Sequence, residues 1–250
     1  KGNTLIKLEG SNTLTSSGYH AGLEHNGKSE DDSGKSVDTG RLTITSGTDK
    51  KTGSNTGSLT ATGGGGSAGI GSAGSKSGSS TGAGIIEIVG GDIKAIGASS
   101  AAGIGSGNGA TSYTDIIIKG SAKIEAQTEQ GGAGIGSGSN SSTATTINII
   151  GGTIKNATGT DGGAGIGGGK NSSGATNVNI SGGEVNASTG YGNGGAGIGG
   201  GIESTGSNIT IRGGTIEAEG GSNAAGIGDG AGTEKGEIDP DAPSNPNHIY

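Results

Sequence analysis

Cysteine, methionine, tryptophan and phenylalanine are absent from this 250-residue chain, and it has three prolines, four tyrosines and two arginines, Arg41 and Arg212. Without cysteine there is no disulfide scaffold, no thiolate metal site and no cysteine nucleophile. No apolar run approaches the roughly 20 residues that a membrane-spanning helix needs. A net charge of −7 with so few arginines argues against nucleic acid and against anionic membrane surfaces as partners. Ile, Leu and Val together number 38, so little that composition alone points to disorder. What abounds is glycine, 63 residues, without the strict third-residue register or the proline of collagen. The chain begins Lys1-Gly2-Asn3, without an initiator Met or a signal-peptide pattern, and is expected to be part of a larger polypeptide.

The placement of the scarce aliphatics overrides the composition. Ala-Gly-Ile recurs with its Ile at 70, 104, 135, 166, 198 and 227, at spacings of 34, 31, 31, 32 and 29 residues, and Ala21-Gly22-Leu23 is an earlier copy. Two further apolar stations precede each copy. The first is a pair separated by one residue: Ile6/Leu8, Leu42/Ile44, Ile86/Ile88, Ile116/Ile118, Ile147/Ile149, Val178/Ile180 and Ile209/Ile211. A Gly-containing turn follows, and then the second station: Leu14, Leu59, Ile93, Ile124, Ile154, Val185 and Ile216. In five of the seven repeats an Ala lies two residues further on (Ala61, Ala95, Ala126, Ala187, Ala218).

Apolar and polar residues alternate at each station, which is strand periodicity, and β-branched Ile suits strands. The glycine density would destabilise helix by about 1 kcal/mol per glycine. Three short strands per unit, repeated seven times, predict an all-β β-solenoid, a right-handed parallel β-helix of about seven rungs. At about 4.8 Å per rung the rod is roughly 34 Å long. A core one rung wide needs few apolar residues per turn. The solenoid is expected over residues 1–233 and an extended tail or linker over 234–250, where three prolines stand and the pattern stops.

The run Gly-Gly-Ala-Gly-Ile-Gly-Gly-Gly at 162–169 and again at 194–201, preceded by Ile-x-Gly-Gly-x-Ile/Val turns, resembles the glycine-rich repeats of large surface proteins of Gram-positive, often gut-dwelling, bacteria. It is also similar to carbohydrate-binding β-helices of the pectate-lyase-like superfamily. The resemblance covers residues 1–233. It implies an extracellular, cell-surface stalk or adhesin, and it transfers no catalytic or ligand residue.

Outward positions should hold any chemistry. If Ala and Ile of Ala-Gly-Ile-Gly face inward, two glycine columns face out, either as backbone hinges or as a smooth binding face. In the second station, Lys94, Glu125 and Lys155 alternate in sign on successive rungs, as an ion ladder would. Tyr113 and Tyr191, with Asn108 and Asn193 nearby in sequence, are candidate sugar contacts, since aromatic faces stack on pyranose rings beside amides. The first-rung insertion places His25 near Glu30, Asp31 and Asp32, hard-oxygen ligands that could take Ca²⁺ but lack EF-hand spacing. No other cofactor is expected. Neither a Gly-x-Ser-x-Gly elbow nor an Asp cluster facing an arginine is evident, so no catalytic residue is assigned.

These features predict a non-enzymatic structural and adhesive module that binds a host glycan or host surface protein through a solenoid face or the loops of rungs one and two. The alternative is a carbohydrate-binding or carbohydrate-processing β-helix. Ice binding is a third reading, weakened because outward Thr forms no regular two-column array.

Overall fold

The computed structural model describes residues 2–30, 36–38, 40–78, 80–174, 176–190, 194–204 and 207–232. The expected tail therefore lies outside the described residues. The described chain is all β. One sheet stacks Thr4–Leu8, Arg41–Ser46, Gly84–Ile88, Thr114–Ile118, Thr145–Ile149, Thr176–Ile180 and Ser207–Ile211. A second stacks Gly10–Thr15, Gly57–Thr62, Asp92–Gly97, Lys123–Thr128, Thr153–Gly159, Glu184–Thr189 and Thr215–Glu219. The third is built of two-residue strands: Leu23–Glu24, Ile70–Gly71, Ile104–Gly105, Ile135–Gly136, Ile166–Gly167, Ile198–Gly199 and Ile227–Gly228. All neighbouring strands in the three sheets are parallel, so each circuit of the chain visits every sheet once, which is a β-solenoid. The first insertion contains a small antiparallel hairpin, Lys28–Glu30 with Ser36–Asp38.

The interior is the set of aliphatic ladders. Leu42, Ile86, Ile116, Ile147 and Val178 follow one another in one column, and Ile44, Ile88, Ile118, Ile149 and Ile180 in the next. All ten are buried, as are Ile70, Ile104, Ile135, Ile166 and Ile198 of the third sheet. The ends are looser. Ile6 and Leu23 in the first turn, and Ile209, Ile216, Ala218 and Ile227 in the last, are only partly buried. The seven equal rungs expected from the repeat are thus about five closed turns, two to six, with a looser turn at each end.

Two registers differ from the sequence expectation. In turn one Ile6 pairs with Ile44 and Leu8 with Ser46, so the pair aligned with Leu42/Ile44 is Thr4/Ile6, not Ile6/Leu8. Likewise Asn12 stands opposite Leu59, and Leu14 opposite Ala61. A slip of two residues keeps every side chain on its face, so alternation cannot detect it. The second difference is a β-bulge in Thr153–Gly159. Glu125 stands opposite Asn156, Ala126 opposite Ala157, and Lys155 is the additional residue. The bulge restores the Ala column, which runs Ala95, Ala126, Ala157, Ala187.

The glycine columns turn out to be buried rather than outward, from Gly69 and Gly71 through Gly197 and Gly199. In the column after each Ile, Gly71, Gly105, Gly136, Gly167, Gly199 and Gly228 take φ between 137° and 142°, a region L side chains avoid. A Cβ on any of the first five would overlap the carbonyl oxygen of the glycine one turn on. In the column before each Ile the limit is space. A Cβ on Gly134 would lie 2.5 Å from the Thr158 nitrogen and 2.7 Å from the Gly165 oxygen. The third sheet is therefore pressed backbone to backbone against the second, which is why the coil is thin.

Buried hydroxyls satisfy backbone groups where the chain leaves the third sheet. The Oγ atoms of Ser72, Ser106 and Ser137 accept the N–H groups of Gly107, Gly138 and Gly169 one turn on, at 2.8, 3.0 and 2.9 Å. Ser141 and Ser172 donate to the Gly138 carbonyl, and Ser204 to that of Gly201. Polar ladders thus share the interior with the aliphatic ones.

Candidate functional site

The sequence candidates are dispersed. Tyr191, Asn193, Asp31 and Asp32 lie outside the described residues, and Glu30 is described only as backbone in the hairpin. The calcium expectation rests on those acidic residues. Among the described residues no group of three or more His, Asp or Glu could hold a metal ion.

His25 and Tyr113 meet at one corner, where the third sheet leads into the first. His25 Nδ1 lies 2.6 Å from the Ala83 carbonyl oxygen. A carbonyl can only accept, so Nδ1 carries the proton and donates it. The adjacent Gly84 N–H donates to the Tyr113 carbonyl at 3.1 Å. Next to His25, Glu24 occupies the glycine column in turn one. Its carboxylate accepts from the Asn26 amide at 2.8 Å and the Ala21 N–H at 3.3 Å, and lies 2.9 Å from His20 Nδ1. Asn26 in turn accepts from the Ala73 N–H at 3.0 Å. Asn108 belongs to a different corner. Its N–H donates to the Gly66 carbonyl at 2.9 Å, and its Oδ1 accepts from Asn140 Nδ2 at 3.2 Å.

The outward face of the second sheet holds the expected charge ladder in altered form. Lys94 and Lys123 stand opposite Glu125 and Asp92 in register. The close contact is made by the bulged Lys155, whose Nζ lies 3.4 Å from Glu125 Oε1. These residues and Ile93 line a shallow depression. Asn55, from the turn-two insertion, donates to Asp92 at 2.9 Å and to the Ser121 carbonyl at 2.8 Å, tying three turns together.

The outward face of the first sheet holds what the sequence reading missed. Glu87 is only 7% exposed. Lys119 Nζ lies 2.6 Å from its Oε1, Arg41 Nη1 3.2 Å from its Oε2, and the Thr43 hydroxyl donates to Oε2 at 3.3 Å. The side chain fastens turns two, three and four. The hydrogen bond from Lys119, and then that from Arg41, hold the carboxyl below its ordinary 4.5 against the opposing effect of burial. On the next turn, in register with Ile85, Asp115 is the opposite case. Burial raises its carboxyl, only partly offset by a hydrogen bond from Thr146. Further along, Asn179 donates to Asn148 at 3.1 Å and Asn208 to Asn177 at 3.0 Å. The position between the two residues of each first-station pair sets Glu87 beside Thr43 and Asn148 beside Asn179, whereas Arg41 and Lys119 flank the pairs and are brought in only by the fold.

A depressed carboxyl adds stability above its unfolded value, and that stability is lost as pH falls through the folded value. Glu87→Gln is therefore expected to lower stability at pH 7 by about 1 kcal/mol, a modest figure because both cations are two-fifths exposed. The gap between variant and wild type should close as the pH falls from 7 through that lowered value. Urea midpoints at pH 7 and below that value measure it, and a gap that persists in acid would show that the ion pairs are not its source.

Four segments of the chain, residues 86–108, 147–170, 178–202 and 209–231, match the beta helix repeat family. Each begins at a core-facing residue of the first sheet and ends four residues past the Ile of the third, so each match takes in all three sheets of one turn without the loop that leads to the next. The matched repeats lie within the coil, and the family's description agrees with the β-solenoid that the structure shows. Neither a curated protein nor a solved structure matches the chain.

Proposed function

We propose that this β-helix repeat module is a non-enzymatic structural and adhesive part of a secreted or cell-surface bacterial protein, binding a host glycan or host surface protein through a face of the coil or the loops of turns one and two. The observation behind this reading is that three groups suited to acid–base work are engaged in structural contacts. Glu87 is held by Arg41 and Lys119, Glu24 by Asn26 and the Ala21 N–H, and His25 by the Ala83 carbonyl. Each of these contacts joins parts of the coil or of its first turn. A stack of parallel strands with loops at its corners is a stiff support for such a surface. A chain without Cys or Met also resists oxidation outside the cell.

One observation favours the carbohydrate-processing alternative: Asp115, whose raised carboxyl is the property a general acid needs. Hydrolysis would require a second carboxylate at the proper separation on the same face, and Glu87 there is already clasped by two cations. Ice binding draws less support. The columns Thr13–Thr60 and Thr15–Thr62 continue as Lys94 and Ile96, so the threonine array ends after two turns.

The test is a glycan array and a panel of host surface proteins, run with an assay for newly formed sugar ends. Retention without cleavage is expected. New reducing or unsaturated ends, lost in Asp115→Asn, would overturn the non-enzymatic reading. Replacing residues 31–35 by a short glycine linker separates loop from face, because it leaves Glu24, His25 and Asn26 in place.

A further inference from the structure

The outward side of the first sheet changes character along the rod. In turns two to four it bears Arg41, Glu87, Asp115 and Lys119. In turns five to seven strand alternation puts out Thr146 and Asn148, then Asn177 and Asn179, then Asn208 and Thr210. Register makes two columns of them, Thr146–Asn177–Asn208 and Asn148–Asn179–Thr210. None of the six is charged, although Arg212 continues the column of Lys119, Ile150 and Ser181 in turn seven. The second sheet, by contrast, shows Asp92, Lys94, Lys123, Glu125, Lys155 and Glu217.

The amides of these columns are held in place. Asn179 Nδ2 donates to Asn148 Oδ1, and Asn208 Nδ2 to Asn177 Oδ1, at 3.1 and 3.0 Å. Each such bond uses one donor of one amide and one lone pair of the other, so every asparagine keeps at least one further donor and acceptor. Their orientation is already set, and little side-chain entropy remains to be lost on binding. Ile150, directly after Thr145–Ile149, is 54% exposed and puts an apolar surface beside the amides.

Neutral hydroxyl groups both donate and accept, and they bind such a surface without any charge being desolvated. We infer that the outer face of the first sheet in turns five to seven binds a neutral oligosaccharide, its hydroxyls met by the asparagine and threonine columns and a C–H ring face by Ile150. The inference rests on the glycan arm of the function proposed above.

The test uses the whole chain against immobilised xylan, mannan and N-acetylglucosamine oligomers as neutral probes, with polygalacturonate and chondroitin sulfate as anionic ones. Binding to a neutral probe is expected. Asn177→Ala combined with Asn179→Ala should weaken it about tenfold or more. Ile150→Ala, at an exposed position with no part in the ladders, should weaken it several-fold with the melting temperature unchanged. Glu217→Gln, on the second sheet, should leave it as in wild type. A folded Ile150→Ala and a folded double variant that both bind a neutral probe like wild type would overturn the placement and leave the adhesive reading standing. Retention on anionic probes alone would overturn the ligand class. Retention of a host protein with no glycan bound would overturn the glycan arm and this inference together.

Discussion

Gly136→Ala is expected to cost about 3–5 kcal/mol, a large part of the 5–15 kcal/mol that holds a typical domain folded. Two effects add. Gly136 has φ 142°, in a positive-φ range that costs an alanine about 1–3 kcal/mol. Its new methyl would also overlap the Gly167 carbonyl oxygen. That oxygen belongs to backbone, fixed by the Ser137 N–H bonded to it at 3.0 Å, so no rotamer change relieves the overlap and the turns must part. Gly53→Ala is the control. It has φ 70° but open space around the added methyl, so only the strain of about 1–2 kcal/mol applies. Thermal melts followed by circular dichroism compare the two. Equal losses would show that contact between turns is not what the glycine column serves.

Ile147→Ala should cost about 2–5 kcal/mol, the range for emptying a fully buried aliphatic site. Ile147 lies between Ile116 and Val178 in its column, and a stacked coil has no other side chain to fill the gap. In a nearly one-dimensional stack the damage falls on both neighbouring interfaces. Ile209→Ala, in the same column but in the last described turn, is partly buried and has one column neighbour, Val178. Its loss should be roughly half as large. Urea midpoints with an unchanged slope measure both. Equal costs would mean that Ile209 is as enclosed in solution as Ile147.

The contrast between these positions shows what the sequence makes legible. A recurring Ile, with alternation at each station, is enough to call strands, stack them and place the ladders inside, because only a coil of that period buries so few aliphatics efficiently. The candidate sites were less legible. His25 and Tyr113 are far apart in sequence, yet both meet the Ala83-Gly84 corner, whereas Asn108, close to Tyr113 in sequence, belongs to another corner. Glu87, Arg41 and Lys119 sit on three different turns, and no spacing rule joins them. Alternation with Ala and Ile points the glycine columns outward. In the fold the third-sheet strands are two residues long and lie against the backbone of the second sheet, so glycine there is a requirement of close approach.

By itself the sequence determined the architecture: an all-β coil, its period, and the aliphatic ladders inside it. The tertiary structure alone decided register and neighbourhood: the two-residue slip of turn one, the bulge at Lys155, the burial of the glycines, and the meeting of Glu87 with its cations or of one asparagine with the next. The physical reason is the same throughout. A period of two specifies which face a side chain takes, and any even slip preserves that face. Which residue stands beside it one turn away is chosen by the hydrogen-bond ladders and by the fit of one backbone against another, and these exist only once the coil has closed.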